Sequence, residues 1–239
     1  RVLFRSTVAQ KLSEIWKIQV VADNRTGASG AIGVEYTANA NPDGYTICHV
    51  TASQTTNAAT NPRLPYDFTR DVQGVSQVTS LYYVLYVHPG VAAKSVKELI
   101  AYAKSHPDTL NYGSSGSGGL QHFAGELFNQ MAGTKLVHIP YKGSGAAISD
   151  VLGGQVQVFI TTPPSVMQHV QAGKLKALAV TGKSRHPGMP QVPTISEAGL
   201  ANFELESWVA IYAPAGVPAA ALQKLSTDLK RAMELPETD

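Results

Sequence analysis

Cysteine is nearly absent from this chain of 239 residues, which contains Cys48 and no other. A single cysteine cannot form an intrachain disulfide, and a metal site built from several thiolates is excluded as well. The seven histidines are scattered, and no two of them have the H-x-x-x-H spacing that places two imidazoles on one helix face. We therefore expect neither a disulfide framework nor a bound metal.

Charge and long apolar runs are also scarce. Charged residues make up 15% of the chain, the net charge is +2, and no basic cluster alternates with aromatic residues. This pattern argues against nucleic-acid binding. No apolar run reaches the ~20 residues that cross a bilayer, and no signal-peptide pattern is present, so we expect no direct membrane insertion.

The chain does contain a regular alternation of β-rich and helical segments. Residues 18–21 and 45–50 are predicted strands, and a Ser95 to Glu98 capping box predicts a helix start. Further along, residues 110–112 predict a strand, residues 113–119 a loop, and the apolar periodicity that follows predicts a helix ended at Gly133. Repeated strand, loop and helix segments predict an α/β fold with a parallel sheet.

Three predicted strand-to-helix turns are rich in glycine and serine, at residues 27–30, 113–119 and 143–145. Ligands of open α/β folds bind at the carboxyl ends of strands, where the next helix presents unpaired N–H groups. Small residues let an anion approach those amides. Tight geometry alone explains the glycines of any single turn. Three such turns favour an anion cradle of amides and hydroxyls without an arginine.

The same loops fit enzymatic motifs poorly. Gly182-Lys183-Ser184 resembles the end of a phosphate-binding loop, but Ala177 stands where its first glycine belongs. A nucleophile elbow around Ser115 fails because position 117 is serine. A hydrolase that uses Ser115 and His122 stays open as an alternative, although no third member of a triad is evident.

Segments spread over nearly the whole chain resemble the Bug receptor family, the periplasmic solute-binding component of tripartite tricarboxylate transporters. Asn41-Pro42-Asp43-Gly44-Tyr45-Thr46 is one of them. The others are residues 9–12, 23–25, 27–33, 64–67, 87–89, 110–116, 124–128, 138–143, 152–156, 172–175, 192–194, 197–200 and 213–218.

This resemblance implies a two-lobe, periplasmic-binding-protein-like (type II) α/β fold with a ligand cleft between the lobes. Residues 1–87 and 206–239 would form a discontinuous first lobe, and residues 88–205 the second. Residues 1–6 do not match the strand with which the family opens, and the family continues past residue 239, so we expect the first lobe to be truncated at both termini. The resemblance also implies a periplasmic monomer.

The implied function is that of a receptor without catalysis or cofactor. It would capture a small carboxylate-bearing solute (a dicarboxylate, an amino acid or an aromatic acid) for the membrane permease subunits of a transporter. A ligand-sensing protein is a further alternative. The ligand-binding positions implied are Gly27, Ser29, Thr51, Ser53, Ser114, Ser115, Gly118, His122, Tyr141, Ser144, Gly145, Ala146 and Thr162.

Overall fold

The computed structural model describes residues 2–25 and 27–234, which form eight α-helices and two β-sheets. The helices are α1 (Val2–Trp16), α2 (Ala31–Ala38), α3 (Ala52–Thr60), α4 (Val96–Ser105), α5 (Leu120–Ala132), α6 (Ser144–Leu152), α7 (Met167–Gln171) and α8 (Ala219–Glu234). The strands are β1 (Cys48–Thr51), β2 (Val72–Tyr82), β3 (Val84–Val87), β4 (Asn111–Ser114), β5 (Val137–Pro140), β6 (Val158–Thr161), β7 (Lys176–Val180) and β8 (Glu206–Pro214). Two short 3₁₀ turns span Ala28–Gly30 and Pro163–Ser165.

The chain divides into two compact units. The first comprises the described residues up to Ser80 and those from Trp208 onwards, and the second is the continuous segment Leu81–Ser207. The lobes expected from the sequence, residues 1–87 with 206–239 and residues 88–205, have other bounds and stay a prediction.

The first unit contains a three-stranded sheet with the order β1–β8–β2. β1 runs antiparallel to β8, with Val50 opposite Ala210. The predicted strand at residues 18–21 is wrong: this segment has no regular structure, and the side chains of Ile18 and Val21 are 55% and 75% exposed. A β-rich run forms a strand only where a neighbouring strand satisfies its backbone groups, and none does so here.

Two helices that come from opposite ends of the described chain pack together in the first unit. Val8 and Leu12 of α1 share a buried apolar cluster with Leu229 and Ala232 of α8. In the sequence, Leu225, Leu229 and Met233 have the spacing of one helix face and predict α8, whereas no local pattern predicts α1.

The second unit contains a five-stranded sheet with the order β5–β4–β6–β3–β7. β4 pairs in parallel with both β5 and β6, so the parallel sheet predicted from the repeated strand–loop–helix pattern is confirmed for these strands. β3 runs antiparallel to both of its neighbours, β6 and β7. The carboxyl ends of β4, β5 and β6 consequently lie at one edge of the sheet, and the loops after these strands start there.

Candidate functional site

Nine of the predicted binding residues lie at this edge of the second unit's sheet, and the strand register explains why. Ser114 is paired with Pro140 where β4 and β5 end, and the amide of Tyr141 donates to the carbonyl of Ser114 at 3.0 Å. Thr162 follows the end of β6 directly. The nine residues are Ser114, Ser115, Gly118, His122, Tyr141, Ser144, Gly145, Ala146 and Thr162.

The amides of the loop between β4 and α5 are largely bonded already. Those of Ser115, Gly116 and Gly118 donate to Gln121 Oε1 (2.8 Å), Ser114 Oγ (3.2 Å) and His122 Nδ1 (3.1 Å). The backbone donors left for a ligand are those of the first turn of α6, because no preceding carbonyl within the helix can accept from them. Hydrogen bonds within the loop therefore fix its conformation, and the start of α6 offers the donors.

Ser144 is the hydroxyl best placed to act as a donor. Ser144 is the first residue of α6 and is 5% exposed. The residue before it, Gly143, has a φ angle of 134°. Within the described ranges 2–25 and 27–234, no hydrogen bond involves its hydroxyl. The neighbouring Gly145 is exposed, and no atom lies within 4 Å of the place that a Cβ would take there. The start of α6 thus combines an unused hydroxyl with open space.

Two other predicted residues of this edge have bonded hydroxyls. Tyr141 donates to Asp150 Oδ2 at 2.6 Å. Burial and, to a smaller degree, the Asp150 carboxylate raise the pKa of Tyr141 to about 12, so its hydroxyl stays protonated at neutral pH. Thr162 Oγ1 lies 2.9 Å from Ser165 Oγ.

An aromatic and histidine stack supports the loop after β4. The imidazole of His138 stacks on that of His122 with 3.9 Å between centroids and on the ring of Tyr112 at 4.9 Å. Nε2 of His138 lies 2.7 Å from Ser114 Oγ, and the hydroxyl of Tyr112 donates to Glu126 Oε1 at 2.6 Å. His122 is therefore fixed both by its ring contact and by the Gly118 amide.

This arrangement does not form the serine–histidine pair considered from the sequence. His122 Nδ1 accepts a hydrogen bond from the Gly118 amide, and no hydrogen bond joins it to Ser115 in the part of the chain that the structure describes. The pair that is bonded is Ser114 with His138, and Ser114 is fully buried. Ser114 Oγ also donates to the carbonyl of Gly116 at 3.1 Å, so the hydroxyl of Ser114 is already bonded and is not paired with His122.

We expect the stability of the protein to fall as the pH is lowered from 7 towards 4, because of His138. The pKa of His138 is lowered from 6.5 to about 4. Burial is the largest cause of this shift and repulsion from His122 the second, while the Glu126 carboxylate partly opposes it. In the unfolded chain His138 becomes protonated near pH 6.5, whereas in the folded protein it becomes protonated only near pH 4. The stabilisation of the folded state is therefore complete above pH 6.5 and is lost as the pH falls from 6.5 to about 4. Each pKa unit corresponds to ~1.4 kcal/mol, and solvent screening of this half-buried ring reduces the total to roughly 1–2 kcal/mol.

Urea unfolding of wild type and His138→Gln at pH 7 and pH 4.5 measures this effect. The free-energy difference between the two proteins should shrink at the lower pH, whereas the control His169→Gln should follow wild type at both. An identical pH dependence for wild type and His138→Gln would contradict the assignment to His138.

The first unit holds the remaining predicted residues. Gly27 and Ser29 adopt positive φ angles of 130° and 55°, Thr51 ends β1, and Ser53 lies in the first turn of α3. Gln54 joins two of them: its Nε2 donates to the carbonyl of Ser29 at 2.5 Å, and its Oε1 accepts from the amide and the hydroxyl of Thr51 at 2.8 and 3.0 Å. The structure thus brings Ser29 and Thr51 together.

Sequence analysis missed Gln54, Gln121 and His138. Both glutamines are almost fully buried, at 5% and 4% exposed, although glutamine is mostly a surface residue. Gln54 does have a sequence signal, because Thr51-Ala52-Ser53-Gln54 is a capping-box pattern, whereas Gln121 only follows closely on a predicted strand end. His138 offers no local signal, because its role depends on the register of β5 beside β4, which pairs it with Tyr112.

A separate open groove of about 390 Å³ lies in the second unit beside β7. Lys94, Lys176, Val192 and Met189 contribute to its lining, and none of the predicted binding residues does. Lys176 is occupied there, since its Nζ donates to the carbonyls of Val91 and Ala93 at 2.8 and 3.1 Å. We therefore place the candidate site at the loop edge and not in this groove.

Solved structures of periplasmic solute-binding proteins share this fold. The structure of Rpa4515 from R. palustris with adipate is 35% identical, with a TM-score of 0.88 over 94% of this chain and 75% of that one. MatC (Rpa3494) from Rhodopseudomonas palustris with bound malate is 26% identical, with a TM-score of 0.89 over 96% of this chain and 79% of that one. The predicted two-lobe, periplasmic-binding-protein-like α/β fold is confirmed.

Residues 3–239 match the family model described as "Tripartite tricarboxylate transporter family receptor". Protein BugT of Bordetella pertussis is 34% identical over 229 residues, which cover 95% of this chain and 70% of that protein. The chain belongs to the tripartite tricarboxylate transporter receptor family, and the resemblance to Bug receptors is confirmed. It spans about two thirds of the length of its curated relatives, with values of 66–70% for three of them.

Because the family and its solved structures are transport receptors, the prediction that this chain is not an enzyme is confirmed. No helix in the described residues is long and apolar enough to cross a membrane.

Proposed function

We propose that this protein captures a small solute bearing at least one carboxylate, and that the loop edge of the second unit's sheet binds that carboxylate. The observation that carries the proposal is the unused hydroxyl of Ser144 at the start of α6, on the same sheet edge as the start of α5. Adipate and malate, the molecules in the structures of two relatives, are both dicarboxylates and support this class of solute.

The carboxylate is held by uncharged donors. Hydrogen bonds to a charged group contribute roughly 1.5–3 kcal/mol each, so a few amides and hydroxyls suffice. Of the side chains around the predicted residues, Lys142 is the nearest cation in sequence, and it is exposed. Arg25 in the first unit is engaged with Asp23 at 2.9 Å and lies over the ring of Tyr36. Neither cation is needed to hold the solute.

The solute-contacting residues in this proposal are those predicted from the sequence in both units. In the second unit they are the nine residues of the sheet edge. In the first unit they are Gly27, Ser29, Thr51 and Ser53, which two glycine-rich or helix-starting segments present.

A comparison of Ser115→Leu with Lys142→Ala tests how the carboxylate is bound. A thermal-shift screen with adipate, malate, glutamate and benzoate first identifies the tightest solute, since a ligand stabilises the folded state by mass action. Calorimetry should then show that Ser115→Leu, which blocks the approach to the helix starts, weakens binding at least ~10-fold, equivalent to ~1.4 kcal/mol. Lys142→Ala should stay within ~2-fold of wild type, because an exposed cation contributes little. Loss of binding in Lys142→Ala with retention in Ser115→Leu would refute the cradle.

We also propose that the receptor acts in the periplasm and delivers its solute to membrane permease subunits, which the family description supports. In this proposal the receptor is a monomer. Deleting the gene should abolish uptake of the identified solute, and fractionation should locate the protein in the periplasm. A purely sensory receptor would leave uptake intact and change transcription instead.

A further inference from the structure

Each of the two units has a buried glutamine in the first turn of a helix that follows a strand. Gln121 is in the first turn of α5, which follows β4, and Gln54 is in the first turn of α3, which follows β1. Their carboxamides are oriented by their partners, since each Oε1 accepts from a backbone amide and each Nε2 donates to an oxygen. Gln54 is also the last residue of the capping box that Thr51 opens, whereas Gln121 belongs to no such motif. Both lie among residues that we propose contact the solute.

Gln121 joins two segments of the second unit. Its Oε1 accepts from the amide of Ser115 at 2.8 Å, and its Nε2 donates to Thr161 Oγ1 at 2.9 Å. Thr161 is 2% exposed, ends β6 and precedes Thr162. The carboxamide therefore fixes the spacing between the loop after β4 and the end of β6.

Gln54 performs the equivalent task in the first unit. It connects Thr51, at the end of β1, to the carbonyl of Ser29, in the glycine-rich turn. Gly30 packs so closely on this carboxamide that an added Cβ would overlap it. In each unit a buried glutamine thus ties the end of a strand to a second segment of the proposed site.

From this repeated arrangement we infer that Gln54 and Gln121 are positioning residues of the solute site, each of which holds two solute-contacting segments of its own unit at a fixed spacing. The inference rests on the proposed function. Donors that are held in place before the solute arrives need no further ordering on binding, and such preorganisation raises affinity without any new contact. Loss of either carboxamide should therefore act on affinity more than on folding.

Gln157 provides a matched control. Its Oε1 accepts from the amide of Asn111 at 2.9 Å and its Nε2 donates to the carbonyl of Gly154 at 2.8 Å, so it makes the same pair of bonds. Asn111 begins β4, which places Gln157 at the opposite edge of the second unit's sheet. A methionine at any of the three positions keeps the chain length and removes both hydrogen bonds.

The experiment measures the Kd of the tightest solute from the adipate, malate, glutamate and benzoate panel, together with Tm, for Gln121→Met, Gln54→Met and Gln157→Met. We expect the first two to weaken binding at least ~10-fold and Gln157→Met to stay within ~2-fold, with Tm lowered by similar amounts in all three. An affinity loss in the site variants no greater than in Gln157→Met overturns the inference.

Two further variants keep the test decisive if Gln121→Met fails to fold. Thr161→Val removes the far anchor of Gln121 and should weaken binding, whereas Thr161→Ser retains the hydroxyl and should bind as wild type does. Binding by Thr161→Val at the wild-type level also overturns the inference for Gln121. If the wild-type protein binds no member of the panel, the result refutes the proposed function. The positioning role is refuted instead when wild type binds a solute and the site variants bind it equally well.

Discussion

Replacing Ser144 with alanine is expected to weaken solute binding ~10- to 100-fold while leaving the fold intact, because the loss of one hydrogen bond to a charged group amounts to roughly 1.5–3 kcal/mol. The hydroxyl has no hydrogen-bond partner in the described ranges, so its removal breaks no hydrogen bond within the protein. We therefore expect the free energy of unfolding to change by less than ~0.5 kcal/mol. Isothermal calorimetry and urea unfolding on the same preparations measure both quantities.

Ser149→Ala is the control for this prediction. Ser149 lies on the same helix and is exposed, and its hydroxyl donates a hydrogen bond to the carbonyl of Gly145 at 3.3 Å. It should bind the solute with wild-type affinity. Equal affinities for Ser144→Ala and wild type would show that the start of α6 does not hold the carboxylate.

Gly125→Ala is expected to destabilise the protein by about 2–3 kcal/mol, since overpacking a rigid core costs ~1–3 kcal/mol or more. Gly125 is a buried residue of α5, and an added Cβ would overlap the ring of Tyr112. That ring cannot move aside easily, because it is fully buried, stacks on His138 and donates to Glu126. The displaced ring should also disturb the histidine stack, so solute affinity should fall together with stability.

Gly145→Ala provides the matched comparison within a helix. The space around Gly145 is open, and replacing glycine by alanine in a helix contributes ~1 kcal/mol of helix propensity. Urea unfolding should therefore show equal or higher stability for Gly145→Ala. If Gly125→Ala is as stable as wild type, the close packing of α5 on Tyr112 is not a constraint.

Short sequence patterns predicted the ends of helices correctly where the hydrogen bonds or backbone angles concerned involve only nearby residues. The Ser95 capping box forms a hydrogen bond from the Glu98 amide to Ser95 Oγ at 3.2 Å, and α4 begins there. Gly133 ends α5 with a φ of 63°, as expected for a glycine that follows a helix. These features depend on neighbours a few residues away, and the sequence contains that information.

Signals of the same type misled where tertiary packing decides. Thr194-Ile195-Ser196-Glu197 is a second capping-box pattern in the sequence. Both of its hydrogen bonds form, at 3.0 and 2.8 Å, yet residues 195–199 form turns and no helix. On α5, the apolar periodicity of the sequence places Phe123 and Met131 on the buried face, but their side chains are 46% and 36% exposed. A cap can begin a helix, but buried apolar contacts are needed to continue it.

The candidate site shows the same division. The glycine- and serine-rich loops identified the sheet edge, because small residues at strand ends are visible in the sequence. The internal use of the loop amides by Gln121, Ser114 and His122 was not predictable, since it depends on side-chain directions after folding. The sequence therefore indicated where a solute could bind better than which groups would bind it.

The strand order of the first unit bears on how the chain acquires its structure during synthesis. β8, the middle strand of that sheet, begins at Glu206 and is synthesised long after β1 and β2. In the same way, α1 has no packing partner until α8 has been synthesised. The second unit, by contrast, is one continuous segment that can fold as soon as it has emerged. Until β8 arrives, β1 and β2 lack their common partner, and unpaired strands of this type are templates for aggregation. A nascent chain that has not reached Glu206 is thus the form of this protein most in need of a chaperone.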